Sequence, residues 1–357
     1  MINITKYSAI CNLGENINDI FNNAIIGKSA PHRINFELPT IENPKFNLKC
    51  NRMLIHLYNQ IKPYIDECID KYGKDKVGMV LATTNSGIRE FETSKDYDHL
   101  KISNPAEFLK DYLKLNGYYA CVSTACSSGI KAFSLAKRLL EFGVCDCVIT
   151  GGVDSVADMP NAGFKALEVL CEELTNPFSK NRKGMNIGEG GALFVLEKDK
   201  SEIKLLGFGE TSDAYNAATP DPSGEQAAIA IKQALSQANI SSDDIDYINL
   251  HGTGTISNDL MEATAINKIF ECNVPCSSTK PLTGHCLGAA GSIETALCIK
   301  SIEENKLLPH IFDGIYDDTI PKLDLVKLNA KPDKQINYVM NNAFGFGGTN
   351  AVMILGK

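Results

Sequence analysis

No apolar run in the sequence is long enough to cross a bilayer, so a membrane-spanning protein is not expected. The opening residues, Met1 to Lys6, lack the charged-then-apolar order of a secretory signal. A basic excess is missing too: 35 Lys and Arg stand against 43 Asp and Glu, a formal charge of -8 at pH 7. That argues against nucleic-acid binding, which needs a basic surface to meet phosphates, and any acidic macromolecular partner would have to dock on a local basic patch. Cysteine is plentiful, at twelve, but the cysteines are scattered through apolar segments without the spacing of a disulfide framework. Reduced thiols in a cytoplasm are therefore expected. Hydrophobic content of 44% and charged content of 22% suit a globular protein. The 357 residues allow two ordinary domains or one large α/β unit.

The chain is organised around Val122-Ser123-Thr124-Ala125-Cys126-Ser127-Ser128-Gly129, which runs into an apolar-periodic segment ending at Leu140. It reads as strand, sharp turn and buried helix, and the small residues permit both a tight turn and close approach of another segment or a ligand. Cys126 thus sits at a helix start, where unpaired N–H groups and the helix dipole favour thiolate, the nucleophilic form. A packed core cysteine is the alternative reading of that residue alone.

Upstream, helices are expected over Ile17–Ile26 and from about Arg52 to Lys71, separated by an irregular stretch with Pro31, Pro39 and Pro44. A strand at 77–83 opens into Thr84-Asn85-Ser86-Gly87-Ile88, residues 89–100 with His99 look solvated, and a helix over about Pro105–Leu115 leads to the strand that delivers Cys126. Residues 146–152 read as another buried strand. Cys145 and Cys147 would share a face of it, but no second Cys or His pair follows nearby, so they are read as core and no metal site is assigned. His32 and His56 also lack partners at ligand spacing.

The charged run Glu197-Lys198-Asp199-Lys200-Ser201-Glu202 is the best boundary candidate, dividing the chain into 1–198 and 199–357. The second half repeats the logic of the first: strand 203–208, helix over about Ser223–Ala238, strand 247–250. Ser278-Thr279-Lys280-Pro281-Leu282-Thr283-Gly284-His285, with the small residues that follow, then feeds a second buried helix as 123–129 feed the first. An internal duplication about a pseudo-twofold axis is implied. His251 ends a buried strand, where α/β proteins place their sites. The glycines of Gly345-Phe346-Gly347-Gly348-Thr349-Asn350 could bare N–H groups to an oxyanion, or simply form a hairpin turn.

Together, Thr124-Ala125-Cys126-Ser127-Ser128, His251-Gly252-Thr253-Gly254-Thr255, Lys280-Pro281-Leu282-Thr283-Gly284-His285 and the Gly345–Asn350 motif resemble, in order and spacing, the elongating β-ketoacyl-acyl-carrier-protein synthases of types I and II. Ser212-Asp213-Ala214-Tyr215, Pro177-Phe178 with Arg182 and Gly184, and Gly188-Glu189-Gly190 extend the likeness from about residue 76 to the end. The resemblance implies a thiolase fold, an α/β architecture of duplicated halves in five α-β-α-β-α layers, each half with a mixed five-stranded sheet. It also implies a homodimer, with a heterodimer the variant, and acyl-carrier protein as partner. Its reaction is a decarboxylative condensation of an acyl group on Cys126 with malonyl-carrier, giving a 3-oxoacyl product.

The roles implied are these. Cys126 is the nucleophile, and the N–H groups of Cys126 and Phe346 form the oxyanion hole. His251 and His285 act as neutral donors to the malonyl thioester oxygen. Lys280 supports them with Asp259 and Glu294 as network partners. Thr253 and Thr255 contact the pantetheine arm; Asp213, Gly345, Phe346, Gly347 and Gly348 belong to gating loops. No cofactor or metal is implied, since phosphopantetheine rides on the carrier. A biosynthetic thiolase would carry a second cysteine in 344–350, and initiating synthases pair Cys and His with Asn where this chain has His285. A chain-length factor, the non-condensing alternative, lacks the nucleophile kept here as Cys126. The chain is short for an elongating synthase, mostly ahead of Cys126, and its loop with Asn216 and Ala218 departs from relatives. A secondary polyene or polyketide-like lipid pathway is thus an alternative to housekeeping fatty-acid elongation.

Overall fold

The computed structural model describes residues 1–30, 32–199 and 201–357, so Pro31 of the irregular stretch and Lys200 of the boundary run lie outside the described residues. The first half runs β1 (Asn3–Cys11), α1 (Ile17–Ile25), α2 (Lys49–Tyr72), β2 (Val77–Ala82), α3 (Ile88–Ser94), α4 (Asn104–Leu113), β3 (Tyr119–Val122), α5 (Ser128–Glu141), β4 (Cys147–Asp154), α6 (Asp158–Ala166) and β5 (Gly190–Glu197). The second runs β6 (Ile203–Ser212), α7 (Glu225–Ala238), β7 (Tyr247–Asn249), α8 (Ile256–Phe270), β8 (Pro275–Ser277), α9 (Lys280–Thr283), α10 (Ala290–Glu304), β9 (Asp324–Leu325), β10 (Tyr338–Gly345) and β11 (Thr349–Gly356).

Strand order makes the duplication explicit. In the first half, β3, β2 and β4 are parallel neighbours, while β5 is antiparallel to both β4 and β1. In the second, β8, β7 and β10 are parallel and β11 is antiparallel to both β10 and β6. The two sets are not separate sheets. A short antiparallel ladder, Asn3 with Lys204 and Ile4 with Ile203, joins β1 to β6 into one 11-stranded order, with β9 added at the far edge.

Alternation along the strands sets the layers, because successive side chains leave opposite faces. On β5, Leu193 and Val195 pack outward with α2 and α4, whereas Ala192, Phe194 and Leu196 face α5 and α10. On β11, Ala351, Met353 and Leu355 face the same central helices, while Val352 and Ile354 meet α7 and α8. Helices, sheet, central helices, sheet and helices thus make the five layers of the thiolase fold. Every residue of α10 from Ala290 to Ile302 is buried, as expected of a helix enclosed on all sides. Gly129 and Gly291 let the central helices approach: a Cβ on Gly129 would fall 2.8 Å from the Ser292 nitrogen, and one on Gly291 would lie 3.0 Å from Ile130 Cγ1.

Several elements depart from the sequence reading. Residues 89–100 are not simply solvated, since α3 and a 3-10 turn at Tyr97–Leu100 occupy them and His99 is buried. α6 was not expected because Pro160 and Gly163 argue against a helix; Pro160, however, lies in the first turn, where its missing N–H costs no hydrogen bond. α8 was not expected because its buried side carries Asn258, Asp259 and Glu262, which interrupt the apolar stripe. The carboxylate of Asp154, at the end of β4, ties the halves together. It accepts from Thr83 Oγ1, Thr84 N and Oγ1, Asn85 N, and across the centre from Gly288 N at 2.7 Å.

Candidate active site

Three turns converge at the ends of the central helices. Cys126 follows Ala125, which is held at φ 51°, and α5 begins two residues on. That left-handed residue is the sharp turn that aims the thiol away from the strand. His285 is clamped by its backbone between Asn186 and Gly188: its N–H donates to the Asn186 oxygen at 2.8 Å and its carbonyl accepts from Gly188 N at 3.0 Å. His251 is clamped by a carboxylate, with its N–H and that of Gly252 each 2.7 Å from a Glu262 oxygen.

These constraints bring the side chains together. His285 Nε2 lies 3.0 Å from Cys126 Sγ, and the His251 ring stands edge-on to His285 with centroids 5.3 Å apart. One nitrogen from each ring and the sulfur fall within 4.8 Å of one another, and all three residues are buried. The backbone N–H groups of Cys126 and Phe346 lie near enough to the sulfur to favour its thiolate. Beneath them Lys280 Nζ pairs with Glu294 Oε1 at 2.7 Å, at 0% and 2% exposure. A cavity of about 220 Å³ opens on this group and is lined by Thr253, Thr255, Phe164, Ala218, Phe344 and Phe346 among others.

Comparison with known proteins gives the family. The family models for the β-ketoacyl synthase N-terminal domain and C-terminal domain match residues 75–202 and 203–312. The chain belongs to the β-ketoacyl synthase family. The 3-oxoacyl-[acyl-carrier-protein] synthase 2 of Coxiella burnetii is 32% identical over 323 residues, 81% of this chain and 77% of that protein. Its namesake in Staphylococcus aureus strain COL is 36% identical over 251 residues, 66% of this chain and 60% of the relative. Among solved structures, a chain from the complex of the ketosynthase ApeO with its chain length factor ApeC, from Xenorhabdus doucetiae, superimposes with a TM-score of 0.94 at 37% identity. That match covers 99% of this chain and 97% of the other, so the compact length has a counterpart.

Electrostatics of the synthase site correct one expectation. The helix start was expected to favour the thiolate of Cys126, but burial pushes the thiol up to about 11, outweighing Lys280 and the Phe346 and Cys126 N–H groups, which pull it down. Burial and then Lys280 hold His251 and His285 well below the usual imidazole range, so both rings are neutral at pH 7. Alkylation reports the balance. Inactivation by iodoacetamide, with Cys126 identified by peptide mapping, is expected to quicken about tenfold per pH unit from 7 to 9, because the thiolate fraction rises tenfold per unit below the pKa. A rate that levels off by pH 8 would show that the N–H groups and Lys280 outweigh burial.

Asp259 is the second correction. It is not a partner of Lys280; it accepts from Phe178 N at 2.8 Å and Gly254 N at 3.2 Å, with Arg182 Nε 3.8 Å away. Arg182 in turn pairs with Asp317 at 2.5 Å, so Asp259 and Asp317 hold the 177–184 loop against α8. Burial raises Asp259 to about 6 against these donors. The neighbouring carboxylate, Glu262, escaped the sequence reading although it orients the His251 turn, and burial raises it to about 7. Its only sequence signal is an acidic residue eleven positions after His251, inside a helix whose period is obscured.

The Gly345–Asn350 motif is indeed a hairpin turn between β10 and β11, and it also supplies the Phe346 N–H. Gly347 and Gly348 adopt φ of 80° and 73°. The Asp213 loop leans on it: Asp213 N donates to the Gly348 oxygen at 2.8 Å, and Asn350 Nδ2 donates to Asp213 Oδ1 at 2.6 Å. Thr253 and Thr255 line the cavity with their hydroxyls 2.9 Å apart.

Proposed function

We propose that the chain performs the condensation with Cys126 as nucleophile, and that residues 1–198 contribute this thiol while residues 199–357 contribute both histidines. The observation that carries the assignment is the 3.0 Å approach of His285 Nε2 to Cys126 Sγ at the cavity that His251 also lines. Cys126 displaces the carrier thiol from an acyl thioester, its proton leaving with that thiol. The oxyanion formed on the way sits against the Cys126 and Phe346 N–H groups. Malonyl-carrier enters next, with Thr253 and Thr255 along its pantetheine arm, and loses carbon dioxide. His251 and His285 donate to the thioester oxygen as negative charge builds on it. The resulting carbanion attacks the acyl-Cys126 carbonyl, and collapse of that adduct frees a 3-oxoacyl thioester and the Cys126 thiolate, which takes a proton from solvent. Burial, and after it Lys280, keeps both imidazoles unprotonated for this task. No cofactor of the chain's own enters the scheme.

Incubation with a panel of acyl-carriers, read by intact mass, tests this reading: one acyl group is expected on Cys126, and malonyl-carrier is then expected to yield the 3-oxoacyl product. A chain that loads no acyl group from any carrier would be the chain-length-factor-like subunit instead. The retained Cys126 speaks against that subunit.

Pairing with a second copy, or with a related subunit, is supported by the sheet edge at β3, where Tyr118 and Tyr119 are 42% and 40% exposed. A cytoplasmic setting rests on the cysteine usage. For the carrier, the exposed Lys180 and Lys183 remain available on the loop that Asp259 pins, Lys183 sharing an exposed pair with Glu173. The other basic candidates are engaged internally: Lys49 pairs with Glu189 at 2.6 Å, and Arg52 donates to the Leu38 and Pro39 oxygens. Reversing Lys180 and Lys183 to Glu is expected to slow elongation from acyl-carrier while sparing a small pantetheine thioester, and to weaken the salt dependence. Equal loss with both substrates would mean a damaged fold, and no loss would place docking elsewhere.

A further inference from the structure

Sequence spacing offers Cys147 no second metal-binding pair, yet the fold supplies its partners from far away. Cys68, in the last turns of α2, and Glu197, at the end of β5, meet Cys147 at the start of β4. The two sulfurs and a carboxylate oxygen all lie within 4.8 Å of one another, and the residues are 3%, 0% and 1% exposed. We propose that Cys68, Cys147 and Glu197 form a binding site for a thiophilic divalent cation of the zinc class, separate from the reaction centre.

Three observations support it. First, two thiols and a carboxylate are a ligand set suited to tetrahedral zinc. Bonds of about 2.3 Å to sulfur would hold the ligand atoms roughly 3.8 Å apart, so closure asks for an inward shift of no more than about 1 Å. Second, the carboxylate is already oriented from outside: Thr5 Oγ1 donates to Glu197 Oε1 at 2.6 Å and Tyr64 OH donates to it at 2.7 Å. Outer hydrogen bonds of this kind fix ligating carboxylates in metal sites. Third, the cluster lies in the outer layer of the first half, where half-buried Tyr64 holds Glu197 and the Lys71–Asp199 pair two residues beyond is exposed. Binding replaces two S–H protons by two metal–sulfur bonds and releases both protons, leaving the fourth position to water or to the Tyr64 hydroxyl. The ion would tie α2 to the ends of β4 and β5, at the outer layer of the first half.

The full chain bearing Cys126→Ser removes the thiol of the reaction centre, whose two histidines make the other cluster with metal-ligand spacing. Titrated with Zn²⁺ after chelator treatment, it is expected to bind about one ion per chain and to gain thermal stability. Cd²⁺ in its place is expected to give a thiolate-to-metal charge-transfer band in the ultraviolet. Adding Cys68→Ser or Cys147→Ser should abolish both signals, and Tyr64→Phe should weaken affinity about 10- to 100-fold. Cys68→Ser, on the helix, serves if the strand variant fails to fold. No charge-transfer band in the Cys126→Ser chain, or a band unchanged by Cys68→Ser, would overturn the proposal.

Discussion

Replacing His251 by Ala is expected to abolish decarboxylation of malonyl-carrier, by about 100- to 1,000-fold or more, while Cys126 still takes up an acyl group at close to the unmodified rate. The asymmetry follows from position, for the His285 ring touches the sulfur and the His251 ring stands behind it. His285→Ala is accordingly expected to slow both acyl loading and decarboxylation. Burst labelling with a radioactive acyl-carrier and carbon dioxide release measure the two steps separately. If His251→Ala decarboxylates normally, the enolate is stabilised by something other than these imidazoles. The pH dependence carries a sign as well. Both rings are held well below the usual imidazole range, so they stay neutral as pH falls from 8 to 6, and the decarboxylation rate is expected to show no imidazole titration across that interval.

Glu294→Ala is expected to destabilise the protein by about 3–5 kcal/mol, because it leaves the Lys280 ammonium at 0% exposure without its carboxylate. Urea unfolding of the variant gives the figure. The informative companion is the double variant Lys280→Met with Glu294→Leu. A buried ion pair exchanged for apolar groups of similar volume is often neutral in stability, so this variant is expected to recover most of the loss. It should nonetheless stay impaired in decarboxylation, since the charge that helps keep His251 and His285 neutral is gone. Recovery of both properties would make the pair a packing element only.

Much of the reaction centre is legible in the sequence because its parts sit in turns with distinctive composition. Small residues surround Cys126, Gly and Thr follow His251, and Gly284 precedes His285; each turn comes directly after a strand or before a buried helix, which local periodicity reveals. Lys280 and Glu294, fourteen positions apart, are legible only through the family resemblance, and the structure pairs them. What stays hidden depends on neighbours distant in the chain. Asp154 looks like an ordinary strand-end acid until Thr83, Thr84, Asn85 and Gly288 close around it. Asp259 and Glu262 lie three positions apart on one helix, yet the first braces Phe178 and the second braces His251, and no spacing rule separates the two. The acidity of Cys126 is hidden on similar grounds. A helix start is a local feature, whereas groups that enclose the thiol, His285 and the turn at 344–346 among them, come from the second half of the chain.

The Phe346 N–H belongs to the β10–β11 hairpin and the Cys126 N–H to the turn before α5, so the two N–H groups that favour the thiolate come from opposite repeats. Neither repeat alone holds both donors, or both a thiol and an imidazole at this centre. On the proposed function, reactivity is thus an emergent property of the seam, and an acyl-enzyme would form only where the seam is closed. Two fragments severed in the charged run near Ser201 would act as a logical AND gate: each chemically silent by itself, with acylation of Cys126 serving as a covalent record that they had come together.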